Sequence, residues 1–339
     1  MSSVRQIAKQ AGVSITTVSR VLNNHPRVSE RLREKVLAAA NESRYVAAVG
    51  KRSTTNIAFV YTGEPSLGSP FDGALMQGMS NGMDEFGYDL MVLDVRRARQ
   101  PDETYSQMFM RKGVRGAVLR TNSQTRSVCE AIATEGFPCV VLGDRFDHPG
   151  INFIFSDSRE TSREAVDYLL DLGHRRVAIC LNIVDDSDHA DRLAGYEQAL
   201  RDRGLPVERR NVLRTAARRD GGEQLMRRLA AMADRPTAVY FTDPASAAGA
   251  VKEARALGID IPGDLSVVGF DDHELRHDVY PELTAVCQDA VAMGHQAFAA
   301  LHEILDREDG SPVTKKSLRT WFEVHRSTAP PRSDDAPSV

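Results

Sequence analysis

The stretch AGVSITTVSRVLNN, residues 11–24, gathers hydroxyl, guanidinium and amide side chains within a few helical turns. Such groups bond to phosphates and base edges. Arginine bonds guanine O6 and N7 bidentately, and threonine offers a base its hydroxyl or its methyl. On a helix whose buried stripe centres on Val18, Thr16 and Arg20 face outward one turn apart, so these two are the expected base readers. Ile15 lies about 60° from the stripe centre. It has two readings, a thymine-methyl contact or a last piece of core. Ser14, Thr17, Asn23 and Ser29 are the expected phosphate donors, which fix register without reading sequence.

The elements that must hold these side chains are short helices. Ser3 with Gln6 forms a capping box for a first helix lined by Val4, Ile7, Ala8 and Ala11, and Gly12 ends it. Ser14 caps a second helix, with Val13 and Val18 placed as a hydrophobic staple and Val21 and Leu22 continuing the stripe. A third begins at Ser29, with Leu32, Val36 and Ala39 facing inward. This is a helix-turn-helix pattern. Residues 1–52 carry ten Lys or Arg against Glu30, Glu34 and Glu42, a balance of +7 that leaves −11 for the rest of a chain of net charge −4. That split suits a basic nucleic-acid module on an acidic body.

Beyond residue 56 apolar runs alternate with helical stretches: NIAFVY, YDLMVLDV, RGAVLR, PCVVLGD, NFIFSD, RRVAICL, RNVLRT, TAVYFTD and SVVGFDD read as strands. Helices are expected over about 69–86, 103–111, 191–203, 222–232 and 245–257, with another ending at Leu170. The alternation predicts parallel sheets covered by helices, with ligands bound beyond the carboxyl ends of the strands. Arg120, Asp144, Asp243 and Asp271 stand at those ends. The segment DDSDHAD ahead of Arg192 reads as a solvated loop; it lacks the spacing of an EF-hand or an H-E-x-x-H helix.

Other classes find little support. The four cysteines, at 129, 139, 180 and 287, form no C-x-x-C pair, and no apolar run approaches a membrane span. The amino terminus has no apolar signal region, so a cytoplasmic chain without disulfides, metal or cofactor is expected. No G-x-G-x-x-G follows a strand, and neither a P-loop nor a G-x-S-x-G elbow occurs, which argues against the common enzymes.

The segment VRQIAKQAGVSITTVSRVLNNHPRVSERLREKVLAAANESRYV resembles the DNA-binding head of the lactose/galactose repressor family. The resemblance implies base reading by Ile15, Thr16 and Arg20, with Tyr45 packing and contacting the backbone at the end of the third helix. SPFDGALMQGM, DYLLDLGHRRVAI, RLAGYEQAL, LSVVGFDD and PELTAVCQD resemble the effector body of the same family. That body is similar to periplasmic sugar-binding proteins, with two α/β lobes joined by three crossovers and a ligand in the cleft. The implied architecture is a helix-turn-helix head over 1–46, a linker over 47–56, a two-lobed α/β ligand-binding and dimerisation body over 57–330, and a disordered tail over 331–339. The implied function is a homodimeric, small-molecule-controlled regulator, a repressor by sign, acting on operator DNA.

By the same resemblance Arg192 and Asp271 match ligand-contacting positions, with Phe71, Asp144 and Gln288 as pocket neighbours. Departures fall at Thr242, where asparagine is common, and at Arg120, where a smaller or amide residue is usual. AARRDGG replaces an aromatic platform, so Arg120 with Arg218 or Arg219 would favour an anionic sugar derivative. The linker departs most. Ala47 and Ala48 stand where the family has Pro-Asn before a hinge helix, and no leucine occurs between Leu37 and Leu67. A poorly helical linker is therefore expected, with Lys51 and Arg52 following phosphates or entering a narrow minor groove.

Overall fold

The computed structural model describes residues 4–22, 28–42, 54–272, 274–306 and 312–332. Ser3, Asn23, Tyr45, Lys51 and Arg52, and with them most of the linker, lie outside the described residues.

Three helices build the head: α1 (Val4–Ala11), α2 (Ile15–Leu22) and α3 (Glu30–Glu42). Gly12 takes φ +62° between the first two, the left-handed turn that glycine adopts without strain. Ile7, Ala8, Ala11, Val18, Val21, Val36, Ala39 and Ala40 form the core, with Val4, Val13 and Val28 packed on it. Of the stripe read from the helical period, Ile7, Ala8, Ala11, Val18, Val21, Val36 and Ala39 are buried.

The chain then continues through β1 (Asn56–Tyr61), α4 (Pro70–Met83), β2 (Asp89–Asp94), α5 (Val95–Ala98), α6 (Tyr105–Arg111), β3 (Gly116–Arg120), α7 (Arg126–Thr134), β4 (Cys139–Leu142) and β5 (Asn152–Asp157). Next come α8 (Arg159–Asp171), β6 (Val177–Asn182), α9 (Ser187–Asp202), β7 (Val212–Thr215), α10 (Arg219–Ala230), β8 (Ala238–Phe241), α11 (Pro244–Ala256) and β9 (Ser266–Asp271). The last elements are α12 (Leu275–Asp278), β10 (Thr284–Cys287), α13 (Ala290–Asp306), β11 (Lys315–Arg319) and β12 (Trp321–Glu323).

These segments fall into two compact units, one comprising 1–65, 79–154 and 295–315, the other 66–78, 155–294 and 316–339. Two sheets run through them, in the orders β11-β5-β4-β3-β1-β2 and β12-β10-β9-β8-β6-β7. Pairing is parallel from β2 to β5 in the first and from β7 to β10 in the second, while β12 pairs antiparallel with β10. In the second unit Val239, Phe241 and Val267 pack with Leu225, Met226 and Ala250 on one side, while Ile179, Tyr240 and Val268 pack with Val166, Leu169 and Tyr196 on another. Alternate strand residues thus feed two cores, as period-two geometry requires.

Glycines let two helix pairs approach backbone to backbone. A Cβ at Gly222 in α10 would sit 1.9 Å from the Ser246 carbonyl oxygen, and one at Gly249 in α11 would sit 2.0 Å from that of Arg219. Gly195 in α9 has the same relation to the Arg159 carbonyl of α8, at 2.3 Å.

Helix α9 starts at Ser187 rather than near Asp191. The supposed solvated loop is its first turn, capped by Asp186, and Asp188, His189 and Asp191 are buried. Helices α7 and α13 and strands β10 to β12 were not anticipated. Ordered contacts also run past residue 330: Arg332 pairs with Asp264 at 2.5 Å, and Pro331 lies against Gly173.

Candidate functional site

The head presents one polar face. Ser14 Oγ accepts the Thr17 amide at 3.0 Å and shares a 2.8 Å hydrogen bond with the Thr17 hydroxyl, which fixes the start of α2. Thr16 and Arg20 are exposed, and Ile15 is 49% exposed, so it is not core and its apolar surface is free for contact. Ser29 is exposed at the start of α3, its carbonyl accepting the Leu32 and Arg33 amides. Exposed Arg5, Lys9, Arg31 and Lys35 add positive charge to the head.

In the second unit a buried polar wall forms at the carboxyl ends of β6, β8, β9 and β10. Arg192, on α9, is its centre. Its Cζ lies 3.5 Å from the Phe270 ring centroid, and its Nη1 donates to the Thr242 carbonyl at 2.6 Å. Thr242 is a support, since its hydroxyl also donates to the Cys180 carbonyl at 2.8 Å. Asp243 caps α11 by accepting the Ser246 amide at 3.1 Å. Burial pushes its carboxyl up, against the Ser246 bond and the charges of His189 and Arg192.

Asp271 pairs with Arg276 rather than with Arg192. Its oxygens accept the Leu275 and Arg276 amides, and Arg276 Nη1 pairs with it at 2.7 Å, so this carboxylate holds the loop after β9. The adjacent Asp272 is the residue missed. It is buried and accepts Gln288 Nε2 at 2.5 Å; burial raises its carboxyl to about 7, with the Arg192 charge pulling the other way. Alternation along the strand carried this signal, because Asp272 shares the parity of Phe270, the ring on which Arg192 stacks.

Asp186 and His189 were missed too. Asp186 Oδ1 accepts the His189 amide at 2.8 Å and pairs with its Nδ1 at 2.7 Å. Burial would raise the Asp186 carboxyl, but the His189 charge and its two hydrogen bonds outweigh it and hold the group well below the usual range. His189 Nε2, Arg192 Nε and Gln288 Oε1 are buried with no hydrogen-bond partner among the described residues. Phe71 is half-buried in the first turn of α4.

In the first unit Arg120 Nη1 donates to the Leu142 carbonyl at 3.1 Å. Asp144 pairs with Arg126 at 2.6 Å and accepts the Arg145 amide at 2.8 Å, while Arg126 lies 3.9 Å from the Phe146 ring centroid. Arg126 was not foreseen. Arg218 is 72% exposed and pairs with Asp220, and Arg219 is exposed, so neither joins the wall of the second unit. Neither of the two alternatives for a partner of Arg120 is thus buried at the strand ends.

A helix-turn-helix head followed by two α/β units with a polar wall at the strand ends defines a class of DNA-binding protein. Residues 3–47 match the family described as bacterial regulatory proteins, lacI family, and residues 166–328 match a periplasmic binding protein-like domain. The chain is 31% identical over 304 residues to the HTH-type transcriptional regulator DegA of Bacillus subtilis, spanning 86% of this chain and 88% of that one. It is 27% identical to the HTH-type transcriptional repressor PurR of Vibrio vulnificus, over 96% of each. Among solved structures it is similar to a complex of the transcriptional regulator CelR with cellobiose, with TM-score 0.68 and 26% identity over 96% of this chain and 100% of that one. A LacI family regulator from Enterococcus faecium with bound ribose shares the fold, with TM-score 0.70 and 23% identity over 81% of this chain and 99% of that one. The chain belongs to the lacI family of bacterial regulatory proteins. It is a DNA-binding transcriptional regulator and not an enzyme. No helix among the described residues is long and apolar enough to cross a membrane.

Proposed function

We propose that the protein is a homodimeric repressor whose operator affinity is set by a neutral polyhydroxylated ligand of the sugar class. The observation that carries this is the second unit's wall. Arg192 Nε is a buried donor and Gln288 Oε1 a buried acceptor, both without a partner among the described residues, beside the carboxyls of Asp243 and Asp272. A sugar hydroxyl donates and accepts at once and suits such a mixed set. An anionic ligand fits it less well, because Asp186, Asp243 and Asp272 all lie within electrostatic reach of Arg192.

Operator contact belongs to Thr16, Arg20 and Ile15, with Ser14, Thr17, Asn23, Ser29, Tyr45, Lys51 and Arg52 positioning the head. Phe71, Arg120 and Asp144 remain candidate ligand neighbours, and Asp271 acts through Arg276. Repression is the reading favoured by the relative named a repressor. One head covers only about 600–1,000 Å² of DNA-facing surface, so paired half-sites are expected.

An operator chosen from random duplexes, followed by anisotropy titrations with cellobiose, ribose and matching sugar acids, tests this reading. A neutral sugar should shift operator affinity by about 5–150-fold. A response to sugar acids alone would overturn the neutral-ligand reading.

A further inference from the structure

Away from the wall, the second unit gathers two imidazoles and two carboxylates at the edge of its sheet. His277 lies in α12, Glu282 precedes β10, and Glu323 and His325 lie at and beyond the end of β12. Backbone bonds hold this edge in register: the Arg326 amide donates to the Glu282 carbonyl at 3.1 Å, and the His325 amide to Thr284 Oγ1 at 3.0 Å.

The geometry of the side chains is specific. His277 Nδ1 faces Glu282 Oε1 at 3.6 Å, and His325 Nδ1 faces the other oxygen, Oε2, at 3.9 Å. Both gaps are longer than a hydrogen bond. They are near the ligand–ligand separation of about 3.3 Å that follows from tetrahedral bonds of about 2.0–2.1 Å. The two rings lie edge to face with centroids 5.2 Å apart. One ligand atom from each of His277, Glu323 and His325 lies within 4.8 Å of the others.

Glu323 completes the arrangement. Its Oε2 lies 3.2 Å from His325 Nε2, leaving Nδ1 directed at Glu282, while Trp321 Nε1 donates to its other oxygen at 2.6 Å. A carboxylate behind a ligating imidazole fixes the ring's tautomer and orientation. Arg276 also bonds Glu323 at 2.7 Å, but its charge is already matched by Asp271 at 2.7 Å. With neutral imidazoles, Arg276, Asp271, Glu282 and Glu323 together carry two excess negative charges. A dication neutralises them.

We propose that His277 and His325 with the carboxylates of Glu282 and Glu323 form a binding site for a divalent transition metal of the zinc class, Glu323 being the carboxylate with a ligand atom within 4.8 Å of both imidazoles. Imidazole nitrogen with one carboxylate selects zinc, cobalt or nickel over magnesium and calcium. The site's exposure leaves coordination positions open to water. The ligands stand on three segments, so the ion ties α12 to the β10–β12 edge.

The test uses the full-length protein with any histidine tag removed, titrated with Co²⁺ and followed by visible absorption, then displaced with Zn²⁺. A single tight ion per chain is expected, with tetrahedral or five-coordinate absorption. H277Q and H325Q should each weaken binding by about tenfold or more. His277 is exposed, so H277Q keeps the fold and remains informative if H325Q does not. E282Q should weaken binding as well, and E323Q should weaken it while altering the Co²⁺ spectrum, which a purely structural role would not do. Binding that needs millimolar metal, or that is unchanged in H277Q, would overturn the proposal.

Discussion

Arg192 spans two strands of one sheet, its Nη1 on the Thr242 carbonyl beyond β8 at 2.6 Å and its guanidinium on the Phe270 ring of β9 at 3.5 Å. Planarity serves both contacts. Lysine keeps the charge but has neither the flat face nor the fork. Arg192→Lys is expected to lower folding stability by about 1–2 kcal/mol, measured by urea unfolding, and to abolish the ligand response in anisotropy. An unaltered response would remove Arg192 from the ligand wall.

Asp272 makes stability pH-dependent in a direction opposite to most carboxylates. Its folded value, about 7, lies above the ordinary 3.8, so between these the folded protein keeps a proton that the unfolded chain has released. Its contribution is therefore full below about pH 4 and is lost as pH rises toward about 7. Asp272→Asn should gain on the wild type across that window, by up to about 1.4 kcal/mol per pH unit. Parallel curves for the two proteins in urea unfolding at several pH values would show that Asp272 is charged in the fold.

Asp186 works with the usual sign. Held below its ordinary 3.8, it stabilises the fold above about pH 4, and that contribution is lost as pH falls through its depressed folded value. Asp186→Ala removes the α9 cap and the partner of buried His189, and should cost about 1–2 kcal/mol near neutrality. The gap from wild type should narrow in acid. Thermal melts at neutral and acidic pH decide it, a constant gap counting against the ionic role.

The head allows position to be separated from reading. Arg20→Ala should cost about 1–3 kcal/mol per half-site and relax preference at one base pair. Ser14→Ala should instead cost about 0.5–2 kcal/mol of head stability, because the Thr17 amide loses its acceptor. Binding measured across an operator library distinguishes them, and a uniform loss for Arg20→Ala would make that residue a phosphate contact.

Most of the head was legible because its period, its glycine turn and its cap residues all point to the same helices. The parallel strands were legible for the same reason. Asp186 to Asp191 were misread because a polar run looks solvated until partners from other elements are known: the His189 pair is local, but the burial comes from the packing of α9 on α8. The choice between Asp271 and Asp272 turned on which face Arg276 occupies, a residue five positions downstream on a short helix. Arg218 and Arg219 were overread, since their exposure is set by where α10 begins. The β12 edge has too few residues for a periodic signal.

The reciprocal glycine contacts between α10 and α11 have a mechanical meaning. With Gly222 under the Ser246 carbonyl and Gly249 under that of Arg219, neither helix can slide or roll without driving atoms into the other. The pair packs as a single unit, and α11 opens with Asp243, which lies in the buried polar wall. Surface ion pairs, Arg227 with Glu253 and Lys252 with Glu223, cross between the same two helices and brace the contact. The two helices are thus clamped into one unit by the absence of two methyl groups.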